Sequence, residues 1–128
     1  MSRNAARLPV ALGLILSLCV AGGITLLAQA KRDFNVSAKK YRFAISGTDA
    51  QEIRVTQDDL VRITLSAEDI PHSFTLPDYR IQKRVEPGRV VTFEFRAERP
   101  GRFDFYCSLT NDNCRDRGMT GVLIVVAR

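Results

Sequence analysis

The chain has 128 residues, which is one domain's length once a targeting segment is set aside. Hydrophobic residues make up 45% and charged residues 26%, a globular balance that excludes a disordered chain. The formal charge is +5; taking away Arg3 and Arg7 of the apolar leader leaves +3 on residues 31–128, interleaved with acids, and no basic run alternates with aromatics as nucleic-acid binding requires.

Arg3 and Arg7 precede an almost unbroken apolar stretch from Leu8 to Ala28. A positive segment followed by an apolar one is the pattern of a secretory signal. At roughly 20 residues the stretch is also long enough to span a bilayer as a helix. Ala28-Gln29-Ala30 reads as a small-x-small cleavage site before Lys31. A cleaved signal peptide and an uncleaved membrane anchor through residues 8–28 therefore both stand. Each divides the chain into a leader, 1–30, and an extracytoplasmic domain, 31–128, with the arginines left inside. Cys19, preceded by the bulky Leu18, is a plain leader residue.

Beyond the leader the pattern is period two, broken by turn signals. Phe34 to Ile45 is a first predicted strand and Gln51 to Thr56 a second. Leu60 to Leu65 puts Val61, Ile63 and Leu65 on one face and Arg62 and Thr64 on the other. His72 to Leu76 is a short apolar piece closed by Pro77. Arg89 to Arg96 alternates again, with Val91, Phe93 and Phe95 together. Arg102 to Cys107 places Phe103, Phe105 and Cys107 on one parity. Val122 to Val126 is continuously apolar, as in a strand buried on both faces. Pro87-Gly88 and Pro100-Gly101 mark tight turns before strands. The expectation is an all-β Greek-key sandwich or barrel of about seven to eight strands, preceded by an apolar N-terminal helix. A barrel of this size has no cleft of its own, so chemistry belongs to loops at one end.

Four residues carry that chemistry. His72 is the only histidine, and Cys107, Cys114 and Met119 share the segment joining the last two predicted strands. An imidazole, two thiolates and a thioether form a soft donor set that suits copper, above all Cu(I). The rival reading is a disulfide. In an oxidising compartment two cysteines closing a short loop can pair, which would consume both thiolates and stabilise by roughly 2–3 kcal/mol at best. Arg115 and Arg117 flank Cys114; they favour the thiolate if close and are solvated otherwise.

Pro71-His72-Ser73-Phe74-Thr75-Leu76-Pro77 resembles the first-histidine segment of cupredoxins, and more narrowly that of the copper domain of cytochrome c oxidase subunit II and nitrous oxide reductase. Val85-Glu86-Pro87-Gly88-Arg89 resembles the family's next turn. Arg99 to Cys107 resembles its strand into the ligand cysteine, and Met119-Thr120-Gly121-Val122 its closing Met-x-Gly strand. The resemblance covers nearly all of residues 34–126 and implies a cupredoxin-like fold. It implies His72, Cys107 and Met119 as metal ligands; Cys114 is added by chemistry and proximity. The sequence departs from the family at the site. The spacing here is Cys-x6-Cys-x4-Met with no second histidine, against Cys-x3-Cys-x3-His-x2-Met for the dinuclear centre. A mononuclear copper is therefore favoured over a dinuclear one.

Three functions follow. A copper protein of electron transfer or copper delivery, meeting a redox or copper-exchange partner protein, is the leading expectation. A metal-free interaction or assembly module stapled by Cys107–Cys114 is the alternative, since a fold outlives its site. An enzyme is not expected: a second histidine, a Ser/His/Asp set and a Cys-x-x-Cys spacing are all missing.

Overall fold

The computed structural model describes residues 29–128 and, before them, only Gly13, Gly22 and Gly23. The leader and the expected N-terminal helix lie outside the described residues. Among the described residues no helix is long and apolar enough to cross a membrane.

Among the described residues nine strands form, rather than seven or eight: β1 Lys31–Lys39, β2 Arg42–Ile45, β3 Glu52–Thr56, β4 Leu60–Ala67, β5 His72–Leu76, β6 Ile81–Val85, β7 Val90–Arg96, β8 Gly101–Tyr106 and β9 Thr120–Val126. Two features raise the count. The run from Phe34 to Ile45 turns back on itself, so that Val36 pairs with Ile45 and Lys39 with Arg42. β6 was not expected at all. Only its end residues are apolar, and Gln82, Lys83 and Arg84 are exposed. It is an edge strand beside β5, and charged side chains on an edge discourage pairing with other chains.

The strands build two sheets, β2-β1-β4-β7 and β3-β9-β8-β5-β6. β1 runs parallel to β4 and β3 parallel to β9; the remaining pairs are antiparallel. Alternation selects the core. On β4, Val61, Ile63 and Leu65 are buried while Arg62 faces out to Glu94 of the neighbouring strand. Across the gap between sheets the rings of Phe43, Phe74, Phe93 and Phe105 interlock. Phe74 stacks on Phe105 at 4.7 Å, and Phe43 meets Phe105 edge-on at 5.5 Å. The expectation that β9 is buried throughout holds for Leu123, Ile124 and Val125, whereas Val126 is 44% exposed. The Pro-Gly turns are where the sequence marked them, with Gly88 at φ 73° and Gly101 at φ 141°, backbone that a side chain rarely tolerates.

Candidate metal centre

Strand direction brings the four predicted residues to one end of the five-stranded sheet. β8 ends at Tyr106, and the loop 107–119 leads directly into β9. β5 is antiparallel to β8, with Thr75 opposite Tyr106, so the start of β5 lies beside the start of the loop. Ser73 and Ser108 continue that alignment through their side chains. On β5 the parity of Phe74 belongs to the core and that of Ser73 does not. His72 shares the parity of Phe74, and Cys107 that of Phe105. His72, Cys107 and Met119 are each fully buried and Cys114 nearly so.

The two cysteines form a disulfide, with an S–S distance of 2.08 Å and Cα atoms 5.8 Å apart. The backbone would close the loop in any case. Cys107 N–H donates to Met119 O at 3.0 Å, and Met119 N–H donates to Cys114 O at 3.1 Å. Outside the loop, Gln51 accepts from Phe43 N–H and donates to Gly118 O. Arg115 does not sit by the sulfurs as a free charge; its guanidinium lies 3.9 Å over the ring of Tyr106, and Arg117 lies 5.0 Å over Tyr41. Both arginines clasp the loop to neighbouring aromatics.

His72 is held by Asp69. The two are 2.8 Å apart, ring Nε2 to carboxylate Oδ1. Partial burial pushes the Asp69 carboxyl upward, but the N–H of Lys40, the ring of His72 and the N–H of Ile70 together outweigh it and hold the pKa at about 2. The carboxylate is ionised and accepts only, so Nε2 must carry the proton. In the neutral ring Nδ1 is then a bare lone pair, and it is buried without a hydrogen-bond partner. An unpaired polar atom in the interior is uncommon enough to call for a ligand or a role.

Sequence reasoning missed Asp69, although its place three residues before His72 was the available signal. It also missed a knot of hydroxyls beside Cys107. Ser108 N–H donates to Ser73 Oγ at 2.7 Å, and Thr75 Oγ1 donates to Ser108 Oγ at 2.8 Å, with Gln82 Nε2 at 3.4 Å. Serines and threonines alternating on a strand carry no mark that sets them apart from surface, so nothing in the chain announced this cluster.

The donors do not fit a metal while the disulfide stands. Both sulfurs are spent, and a neutral imidazole nitrogen with a thioether is too small a set for copper. Among the described residues, no group of three or more His, Cys, Asp and Glu side chains is placed to hold an ion. A surface depression of about 570 Å³ offers no alternative. It is lined by Lys31, Arg32, Arg54 and Val126, at the far end of β9 from Met119.

A two-sheet all-β sandwich with a lone inward histidine on one strand and a Cys-to-Met loop on the next two defines a cupredoxin-type domain. The comparisons agree: residues 10–125 match the cupredoxin-like domain family, and the chain belongs to it. The chain is 29% identical over 68 residues to cytochrome c oxidase subunit 2 of Synechocystis, covering 53% of this chain and 20% of that protein. It thus spans about a fifth of the length of that relative. The periplasmic domain of cytochrome oxidase subunit II from Bradyrhizobium japonicum superposes with a TM-score of 0.64 at 21% identity, over 77% of this chain and 86% of that one. A subunit II caught in a mixed disulfide with a thioredoxin-like protein superposes with a TM-score of 0.63 at 20% identity, over 81% and 88%. At these identities the structural likenesses speak for the fold.

Proposed function

We propose that this is an extracytoplasmic cupredoxin whose dithiol form takes up copper through His72, Cys107, Cys114 and Met119, for electron transfer or copper delivery. The leader would export residues 31–128 or anchor them. The observation that carries the proposal is the His72 ring. Asp69 holds the Nε2 side of the ring, and in the neutral ring its buried Nδ1 lone pair has no donor. A structural histidine would gain about 1 kcal/mol from a hydrogen bond there, and leaving it unmade costs at least as much. Reduction adds two thiolates at the same end of the sheet, and the set becomes soft and copper-selective. The relatives that carry the name of oxidase subunit II support a redox partner protein, and the mixed disulfide between one subunit II and a thioredoxin-like protein supports a thiol-exchanging one.

The test is a copper titration of the full chain, reduced and oxidised in parallel. Reduced protein should bind stoichiometric copper, lose it on Cys107→Ser and bind more weakly on His72→Ala; oxidised protein should bind none. A visible thiolate charge-transfer band on oxidation of the loaded form marks an electron-transfer site, and its absence marks Cu(I) carriage. If the reduced chain takes up no copper, the proposal fails. The disulfide itself favours the second reading, a metal-free interaction module with a stapled loop.

A further inference from the structure

The outer face of the five-stranded sheet carries an ordered pattern along β9. Leu123 and Val125 point between the sheets and belong to the packed core. Val122, Ile124 and Val126 have the opposite parity, lie on the outer face and stand outside that core cluster. They form an apolar ridge, and Val126 is one of two large apolar side chains left exposed among the described residues. Register then sets charges on both flanks. Glu52 of β3 and Asp104 of β8 lie on either side of Val122; Arg54 of β3 and Arg102 of β8 lie on either side of Ile124. One row across three strands is acid–apolar–acid, and the next is base–apolar–base. Arg54 also reaches Glu52 of its own strand at 3.1 Å. Arg102 and Asp104 are exposed and have no ion-pair partner among the described residues. Asp104 borders a hollow of about 380 Å³ with Gln51, Tyr106, Arg115 and Thr120, in which the other charge, Arg115, is turned onto the ring of Tyr106.

We propose that this face binds a second copy of the chain, face to face and with the strands antiparallel. The two-fold axis lies between the two faces, crosses the strands and passes midway between the rows of Val122 and Ile124. Turning a copy over about that axis lays each acidic row on a basic one. Glu52 meets Arg54 of the partner subunit, and Asp104 meets Arg102 of the partner subunit. Val122 packs on Ile124 of the partner subunit, and Val126 is covered near Thr120 of the partner subunit. By symmetry every contact occurs twice. The same pattern rejects the other stacking. With strands parallel, Glu52 would oppose Asp104 and Arg54 would oppose Arg102, and like charges across an interface repel. The patch is three strands wide, at the small end for a specific interface, so the pairing is weak, with a Kd on the order of 10–100 µM. It sets the two 107–119 loops at opposite ends of the pair.

The test uses charge reversals in the full chain, held in an uncharged detergent at low salt, and contains no copper, so its outcome is separate from that of the metal proposal. Sedimentation equilibrium should show the wild type passing from monomer to dimer in the stated concentration range. Asp104→Arg alone, or Arg102→Glu alone, turns both symmetry-related contacts repulsive and should weaken the dimer at least about tenfold. An equimolar mixture of the two variants should recover the wild-type affinity to within about threefold. In that mixed pair the two reversed charges oppose each other with opposite sign, and the remaining contact is the native one. Recovery in the mixture also shows that both variants fold. A wild type that stays monomeric up to about 1 mM would overturn the inference. So would dimers that each variant alone keeps unweakened, which would place the association elsewhere, the leader included. A mixture no tighter than its separate components would also defeat it.

Discussion

The carboxylate of Asp69 reaches two segments at once: Oδ1 meets His72 Nε2 and Oδ2 accepts the N–H of Lys40, each at 2.8 Å. One side chain therefore sets a histidine tautomer and ties β5 to the β1–β2 turn. Asp69→Asn keeps the shape but removes the anion. In the metal-free wild type, ¹⁵N chemical shifts should show His72 protonated on Nε2 with an unprotonated Nδ1. In Asp69→Asn that pattern should weaken toward a mixture. An unchanged tautomer in the variant would show that Asp69 does not set it.

Acid should expose the same residue. The folded pKa of Asp69 is lowered to about 2 from a reference of 3.8. A depressed carboxyl contributes stability that is fully present above the unfolded value and is lost as pH falls through the folded one. The contribution is about 1–2 kcal/mol, allowing for solvent access to part of the side chain. Wild type should lose it between about pH 4 and pH 2, and Asp69→Asn should show a flatter unfolding profile over that window. Parallel profiles for the two proteins would count against the assignment.

Opening the Cys107–Cys114 bond should weaken the domain without unfolding it. The closed loop is short, so its loss should cost about 2–3 kcal/mol at most. The Arg115–Tyr106 and Arg117–Tyr41 contacts, with the Gln51–Gly118 hydrogen bond, remain to hold the loop. Denaturant titrations with and without reductant measure the difference. A reduced chain that unfolds outright would mean the loop has no support besides the bond.

Gly121 has no room for a side chain. A Cβ there would fall on the ring of Phe105 and lie 2.8 Å from Gln51 O, itself the acceptor for Val122 N–H. Gly121→Ala must displace either a core ring or a strand bond, and should destabilise by about 1–3 kcal/mol or more. Thermal unfolding of the variant tests this, and a wild-type Tm would contradict the packing described.

Ser108→Ala should leave Thr75 and Gln82 without their acceptor. A partly buried hydroxyl stripped of its partner costs about 1–3 kcal/mol. Thr75→Val alone removes one donor and should cost less than Ser108→Ala. In the double variant the losses should fall short of additivity, because the second change removes a group already orphaned. Additive losses would mean the hydroxyls act independently.

Much of the fold was legible because β4, β7 and β8 alternate cleanly, and because Pro87-Gly88 and Pro100-Gly101 mark turns that the chain takes. The split of β1 from β2 was hidden, since Lys40 and Tyr41 carry no turn signature; its one trace is the shift of buried parity from Val36 and Ala38 to Phe43 and Ile45. β6 was hidden because an edge strand needs only its ends, Ile81 and Val85, to be apolar. At the site, the gathering of His72, Cys107, Cys114 and Met119 at one end followed from strand direction. Whether the sulfurs pair was open in the sequence, because one spacing serves a disulfide and a thiolate pair equally. Ser108 was invisible for a different reason, since its importance comes from the neighbours that pairing of β5 with β8 brings to it; Asp69 had only its spacing from His72 to mark it, and its second partner, Lys40, comes from the β1–β2 turn.

The parallel pairing of β1 has a mechanical consequence. β1 lies inside its sheet, between β2 on one side and β4 on the other, and its register with β4 runs unbroken from Lys31–Leu60 to Ala38–Ala67. A force applied at Lys31 along the strand axis meets both ladders in shear. Their hydrogen bonds must yield together rather than one after another, as they would at a peeled edge. If the leader stays in the membrane as a tether, the domain is fastened by an inner strand rather than by a sheet edge.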